Sequence, residues 1–148
     1  MKNKTVKLIV IIAILLIIID QTSKFLVSNF LKEPIGNDVF KLEISYNSGM
    51  ALGLNEGNFK NIIISVFVLM IVISFVKNQI ERIDTKTAIA TSLIIGGAVG
   101  NLIDRLFRKS VLDFIKVSIF PIFNLADCFI VCGWVLIILF LIIFSIKK

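Results

Sequence analysis

The sequence predicts an all-α membrane protein with four transmembrane helices and a small extracytoplasmic β-sheet between the first and second helices. Its 148 residues are 57% hydrophobic, which is more apolar than ordinary soluble domains. A bilayer core takes about 20 helical residues, and four apolar stretches reach that length with their flanks. We place the spans at about residues 8–29, 59–77, 87–105 and 127–146, within one domain over residues 1–148.

The basic residues predict how the spans are oriented. The net charge of +6 comes from 16 basic and 10 acidic residues. With an even number of spans, one side receives these basic groups: Lys2, Lys4, Lys7, Lys77, Arg82, Lys86, Lys147 and Lys148. The positive-inside rule makes that side cytoplasmic, together with both chain termini. Basic residues at and after the end of the third span fall on the other side and argue mildly against this orientation, and we expect them to have other roles or to contact lipid headgroups: Arg105, Arg108, Lys109 and Lys116. The charge therefore predicts a membrane partner and no nucleic acid.

The segment from about residue 31 to 58 is predicted to form the sheet. "FKLEISYN" (40–47) alternates strictly between apolar and polar residues, which is typical of a half-buried strand. "NSG" then offers a turn, and "MALGL" (50–54) offers a second strand before "NEGN" closes the segment. The connection from Leu106 to Phe123 also reads as partly extended. We expect an apolar face of this sheet to lie toward the bilayer.

The composition limits the possible chemistry. The chain contains no histidine, which excludes serine–histidine and cysteine–histidine nucleophile pairs and the usual zinc sites. We expect neither a metal nor a cofactor. Four of the ten acidic residues lie near span ends, and the predicted topology places all four near the extracytoplasmic boundary: Asp20, Asp104, Asp113 and Asp127. A charged aspartate near the membrane interior is energetically unfavourable, so each of these residues is expected to have a structural or functional role.

Three of these acids also have plain structural interpretations. Asp127 can cap the start of the last helix, where free amides and the helix dipole favour a negative charge. Asp20 and Lys24 are four residues apart and can form an ion pair on one helix face. Asp104 and Arg105 can form an interfacial pair without a catalytic role.

Asp113 is harder to explain structurally, because its neighbours in "VLDFI" are all apolar. Two carboxyl groups that meet in a poorly hydrated place cannot both ionise easily, so one pKa rises and the pair tends to share a proton. Such a pair can activate a water molecule against a peptide carbonyl without a histidine or a metal.

A glycine-rich stretch of the third span predicts close helix packing next to these acids. "IGGAVGN" carries Gly96 and Gly100 four residues apart, a spacing of small residues that lets membrane helices approach. Asn101 and Arg105 share a helix face with Gly97, so polar groups point toward whatever packs there.

Five fragments of the chain together resemble one known family. "DQTSK" (20–24), "NSGMALG" (47–53), "GGAVGNLIDR" (96–105), "VLDFI" (111–115) and "FNLAD" (123–127) are similar to motifs of the lipoprotein signal peptidases and occur in the same order. With four spans and this length, the resemblance covers nearly the whole chain. It implies a bacterial aspartic endopeptidase of the cytoplasmic membrane that acts near the extracytoplasmic face. Such enzymes remove signal peptides from diacylglyceryl-modified prolipoproteins, on the amino side of the lipidated cysteine.

The resemblance also implies roles for individual residues. Asp113 and Asp127 would be the catalytic pair. The substrate would be bound by Asn47, Asn101, Arg105, Asn124 and Asp20. Structural support would come from Lys24, Asp104, Gly97, Gly100 and Ala126. The expected partners are lipidated prolipoproteins and membrane lipid, and the protein is expected to be a monomer.

Two other classes of function remain open on the sequence alone. Intramembrane acids also suit a transporter or a proton relay, although a relay crosses the bilayer and these acids are predicted to gather at one face. The chain could also be a small structural membrane protein in which the acids serve as caps and ion pairs.

Overall fold

The computed structural model describes residues 2–49, 58–79 and 83–146. Within these ranges the helices are α1 (Lys2–Phe30), α2 (Asn58–Gln79), α3 (Thr85–Phe107) and α4 (Leu125–Ile146). The strands are β1 (Ile35–Gly36), β2 (Phe40–Asn47) and β3 (Val111–Val117). All four helices are long and apolar enough to cross a membrane, and the strands form one small antiparallel sheet. The predicted fold class is therefore confirmed.

Helix α3 is the centre of the bundle because small residues let its neighbours approach. A Cβ on Gly96 would lie 2.8 Å from Leu16 Cβ of α1. A Cβ on Gly97 would overlap with the backbone carbonyl of Ala126 in α4. Helix α3 consequently runs between α1 and α4 and carries more buried side chains than the other helices, with α2 packed more lightly against it.

The other three helices turn apolar side chains outward. Large exposed residues such as Leu15, Phe67 and Leu139 lie on the outer surfaces of α1, α2 and α4. Exposed apolar surface of this extent is unfavourable in water and matches a lipid environment.

The sheet is assembled from two connections of the chain. Strand β2 lies between β1 and β3, and both neighbours pair with it in antiparallel fashion. Strand β1 follows α1, whereas β3 comes from the connection between α3 and α4, so the sheet extends beyond the predicted segment 31–58. The predicted strand "MALGL" and most of "NEGN" lie outside the described residues. We call the end of the bundle that carries the three strands the sheet end.

A β-bulge in β2 corrects the predicted alternation. Leu42 pairs with Ile115 and Ser45 pairs with Asp113, so two residues of β2 stand opposite one residue of β3. An extra residue reverses which face the following side chains occupy. Leu42 therefore shares a sheet face with Asp113 and Ser45, while Tyr46 lies on the opposite face. The prediction of one uninterrupted apolar face was wrong at this point.

We expect Gly97→Ala to destabilise the bundle, because the added methyl group collides with the carbonyl of Ala126. Overpacking of this kind typically costs about 1–3 kcal/mol. Thermal unfolding in one detergent measures the loss. Ile89→Ala, at a 40% exposed position of the same helix, is the control and should have a smaller effect. A Gly97→Ala protein as stable as the parent would contradict this packing.

Candidate active site

A buried ammonium group connects α1 to α3 near the sheet end. Lys24 Nζ lies 2.8 Å from Asp20 Oδ2 and 2.9 Å from Asp104 Oδ2, and all three side chains are fully buried. The same ammonium donates a hydrogen bond to Asn101 Oδ1 at 3.1 Å. The ion pair predicted between Asp20 and Lys24 is present, and Asp104 joins it. The three donors of the ammonium group are thus matched by three acceptors.

Asp104 links this ion cluster to strand β3. Its Oδ2 accepts the backbone N–H of Leu112 at 3.1 Å, which holds the strand one residue before the predicted catalytic acid. Its ion-pair partners are Lys24 and Arg108. Arg105, the partner predicted for Asp104, interacts with it through its charge.

Gln21 belongs to the same cluster, although it is not among the site residues predicted from the sequence. Its Nε2 donates to Asp20 Oδ2 at 3.1 Å, to the Gly100 carbonyl at 3.1 Å and to Asp104 Oδ1 at 3.2 Å. Its Oε1 accepts from Arg108 Nη1 at 3.1 Å. The only sequence signal was its place inside "DQTSK", between two residues that were singled out.

Asp20 also connects α1 to α4. Its Oδ1 accepts the backbone N–H of Ala126 at 3.1 Å. A Cβ on Gly100 would lie 2.6 Å from Asp20 Oδ2, so the glycine leaves room for the carboxylate. Asp20 is completely enclosed, and its contacts hold helices together. Its role in substrate binding stays a prediction, and this enclosure favours a supporting role.

Asn124 and Asp127 cap the start of α4 reciprocally. The backbone N–H of Asp127 donates to Asn124 Oδ1 at 3.0 Å, and the backbone N–H of Asn124 donates to Asp127 Oδ2 at 3.2 Å. This is the geometry of a capping box, with an aspartate in the place usual for glutamate. The cap fixes the orientation of the Asp127 carboxylate.

The side chain of Asn124 also reaches the second acid. Its Nδ2 donates to Asp113 Oδ1 at 2.6 Å, while Asn47 Nδ2 donates to Asp113 Oδ2 at 3.2 Å. Asp127 Oδ1 accepts from Asn101 Nδ2 at 2.8 Å. One residue, Asn124, thus contacts both carboxylates, and every carboxylate oxygen of the pair accepts a hydrogen bond.

The orientation of the Asn101 amide follows from its neighbours. Its Oδ1 accepts from Lys24 Nζ and also from Asn124 Nδ2, at 3.1 Å each. Its Nδ2 must therefore face Asp127, as observed. A continuous chain of hydrogen bonds runs from the buried lysine to the acid at the start of α4.

The surroundings of Asp113 favour its protonated form. Burial raises the pKa of Asp113 from 3.8 to about 6, and the charge of Asp127 contributes to the rise. Hydrogen bonds from Asn124 and Asn47 and the charge of Lys24 oppose it. Asp113 can consequently hold a proton near pH 6, where an ordinary aspartic acid is ionised.

Arg105 brings a positive charge to the edge of the pair. It is half-buried, and its Nη1 donates to the Asn101 carbonyl at 3.3 Å. Its charge interacts with Asp127, Asp113 and Asp104. Two carboxyl groups that meet at one place, with Asp113 able to hold a proton near pH 6, are suited to general acid–base work on a bound water.

The sequence and the fold of this chain are similar to those of known proteins. The sequence model of a family described as signal peptidase (SPase) II matches residues 12–143. The chain is 39% identical over 140 residues to the lipoprotein signal peptidase of Halothermothrix orenii, covering 90% of this chain and 94% of that protein. The chain belongs to the signal peptidase II family. It is therefore an enzyme, an aspartic endopeptidase with four membrane helices.

Two solved structures share the fold of this signal peptidase II. Both are described as bacterial membrane enzymes determined by the in meso method, at 2.3 Å and 1.9 Å resolution, and both are 30% identical to this chain. The first has a TM-score of 0.82 and covers 95% of this chain and 90% of its own. The second has a TM-score of 0.76, with 90% and 91% covered.

The predicted site residues thus meet at the sheet end of this signal peptidase II. The hydrogen bonds, ion pairs and packing contacts given above join all twelve of them: Asp20, Lys24, Asn47, Gly97, Gly100, Asn101, Asp104, Arg105, Asp113, Asn124, Ala126 and Asp127. Their catalytic and substrate-binding roles stay predictions. Gln21 and Arg108 are additional members of the cluster.

We expect Lys24→Met to destabilise the protein strongly, because it leaves Asp20 and Asp104 buried without their shared cation. Removing one partner of a buried ion pair typically costs about 3–5 kcal/mol. Thermal unfolding of the purified protein measures the effect, and Lys7→Met, at an exposed position of the same helix, is the control. Equal stability of the two variants would show that the buried cation is dispensable.

Proposed function

We propose that this protein removes signal peptides from diacylglyceryl-modified prolipoproteins and cleaves on the amino side of the lipidated cysteine. In this proposal Asp113 and Asp127 activate the attacking water. The observation that carries it is the double contact of Asn124, whose side chain bonds Asp113 while its backbone bonds Asp127. Membership of the signal peptidase II family and the name of the relative, a lipoprotein signal peptidase, support the substrate class.

The raised pKa of Asp113 suggests how the two acids divide the work. Asp113 starts protonated and donates to the carbonyl oxygen, while ionised Asp127 takes a proton from water as the hydroxide attacks the carbonyl carbon. When the tetrahedral intermediate collapses, the carbon–nitrogen bond breaks and Asp127 delivers its proton to the departing amine. As the carbonyl group forms again, one hydroxyl group of the intermediate returns its proton to Asp113. The products are the carboxylate end of the signal peptide and a free amino group on the lipidated cysteine.

The amides around the pair would orient the substrate. Asn101 and Asn124 hold the carboxylates in place, and Arg105 and Asn47 lie where they could bond the substrate backbone. Fixed dipoles and restricted access to water favour charge separation in the transition state.

The location of the cluster supports a membrane-surface site. In the described part of the chain, the buried ionisable side chains lie toward the sheet end of the bundle: Asp20, Lys24, Asp104 and Asp113. A relay across the bilayer would need such groups along its whole depth, so this arrangement favours a peptidase. We propose that the sheet end faces the outside of the cytoplasmic membrane, that both termini are cytoplasmic, and that the monomeric enzyme contacts lipid while it binds substrate.

We expect Asp113→Asn and Asp127→Asn each to reduce prolipoprotein processing by at least about 100-fold, because each removes a proton-transfer group. Conversion of a lipidated prolipoprotein, followed by gel mobility with purified enzyme, measures the rate. Asp84→Asn is the matched control, because Asp84 caps α3 at the opposite end and asparagine caps equally well. Processing at the parental rate by either dyad variant would exclude the proposed mechanism.

We also expect kcat to fall as pH rises above about 6, because the proton on Asp113 is then lost. The apparent pKa belongs to the coupled pair, so the midpoint can lie above the value for Asp113 alone. Turnover of a fluorogenic lipopeptide between about pH 5 and about pH 9 tests this decline of kcat with pH. A kcat that stays constant over this range would contradict Asp113 as the proton donor.

A further inference from the structure

Helix α2 contains an unexpected buried residue. The described side chains of this helix are mostly exposed. Among the described side chains of α2, Asn61 alone is buried, with 1% of its surface exposed. A polar side chain in a membrane helix is unfavourable unless it has a partner, so its burial points to a specific role.

The side chain of Asn61 is bonded to the turn that follows β2. Its Nδ2 donates to the backbone carbonyl of Ser48 at 2.9 Å. The preceding residue is Asn47, whose Oδ1 accepts the backbone N–H of Gly49 at 2.9 Å and whose Nδ2 donates to Asp113. The turn is therefore held by its own asparagine and by Asn61 of α2.

We propose that Asn61 is a positioning residue that keeps the amide of Asn47 directed at Asp113. The hydrogen bond from Asn61 to the Ser48 carbonyl fixes the backbone directly after Asn47. Helix α2, which otherwise contributes no described side chain to the site cluster, thereby acts on the catalytic pair. The catalytic consequence rests on the proposed function of Asp113.

Loss of the hydrogen bond between Asn61 and Ser48 should change the electrostatics of Asp113 as well as the position of Asn47. The Asn47 bond stabilises ionised Asp113, so weakening it raises the pKa of Asp113. The charged groups that interact with Asp113 are Asp127 from α4, Lys24 from α1 and Arg105 from α3. An Asn61 variant retains all three, so a change in the pH profile reports the Asn47 contact.

We expect Asn61→Ala to lower kcat between about threefold and tenfold, which corresponds to one neutral hydrogen bond. KM should change by less than kcat, because Asn61 itself is not a proposed substrate contact and the contacts proposed for residues other than Asn47 are retained. The pH at which kcat begins to fall should move to a higher value. Asn61→Gln keeps the donor and should restore part of the rate. Ser65→Ala is the control, because Ser65 Oγ donates to a backbone carbonyl, that of Asn61, within its own helix at 2.7 Å.

A double variant distinguishes positioning from a general loss of structure. If Asn61 acts through Asn47, adding Asn61→Ala to Asn47→Ala should not slow the reaction further. Single-turnover measurements with excess enzyme make the slow variants measurable. Equal slowing in both backgrounds would overturn the proposal, as would lower thermal stability of Asn61→Ala with unchanged kcat and pH profile.

The outcome also separates this inference from the proposed function. If Asp113→Asn processes prolipoproteins at the parental rate, the proposed function itself fails. If Asp113→Asn is inactive while Asn61→Ala matches the parent in kcat and pH profile, only the positioning role fails.

Discussion

The buried ammonium of Lys24, held between Asp20 and Asp104, is the constraint on which the rest of the site depends. A charge inside a membrane bundle is tolerable only with partners, and these two carboxylates supply them from α1 and α3. Each carboxylate also binds a backbone amide, at Ala126 and at Leu112 respectively. The ion cluster therefore sets where α4 begins and where β3 enters the sheet.

The two proposed catalytic acids stand on those two elements. Asp113 follows directly after the anchored amide of β3, and Asp127 follows directly after the anchored amide of α4. The cap that starts α4 also orients the Asp127 carboxylate, so the structural role of this residue is compatible with its proposed catalytic role. Asn124 joins the two acids into one hydrogen-bonded unit. The same contacts that stabilise the fold thus provide the rigidity that acid–base catalysis requires.

The sequence predicted those features that depend on long patterns and missed those that depend on single contacts. Four apolar runs predicted the helices, and the alternating direction of successive spans placed the four acids at one end. Strand β1 is too short to show periodicity, and a bulge interrupted the alternation expected in β2. The partners of Asp104 could not be predicted, because they come from α1 and from one helical turn further on. Gln21 and Asn61 are isolated amides, and only the packed structure shows what they bind.

The proposed mechanism requires Asp113 and Asp127 to act together on one peptide bond. An experimental structure with a bound peptide inhibitor, whose hydroxyl group mimics the tetrahedral intermediate, tests it most directly. We expect that hydroxyl to lie within about 3 Å of one carboxylate oxygen from each aspartate. A hydroxyl bonded to only one of them, or an inhibitor bound away from both, would contradict the shared role of the pair.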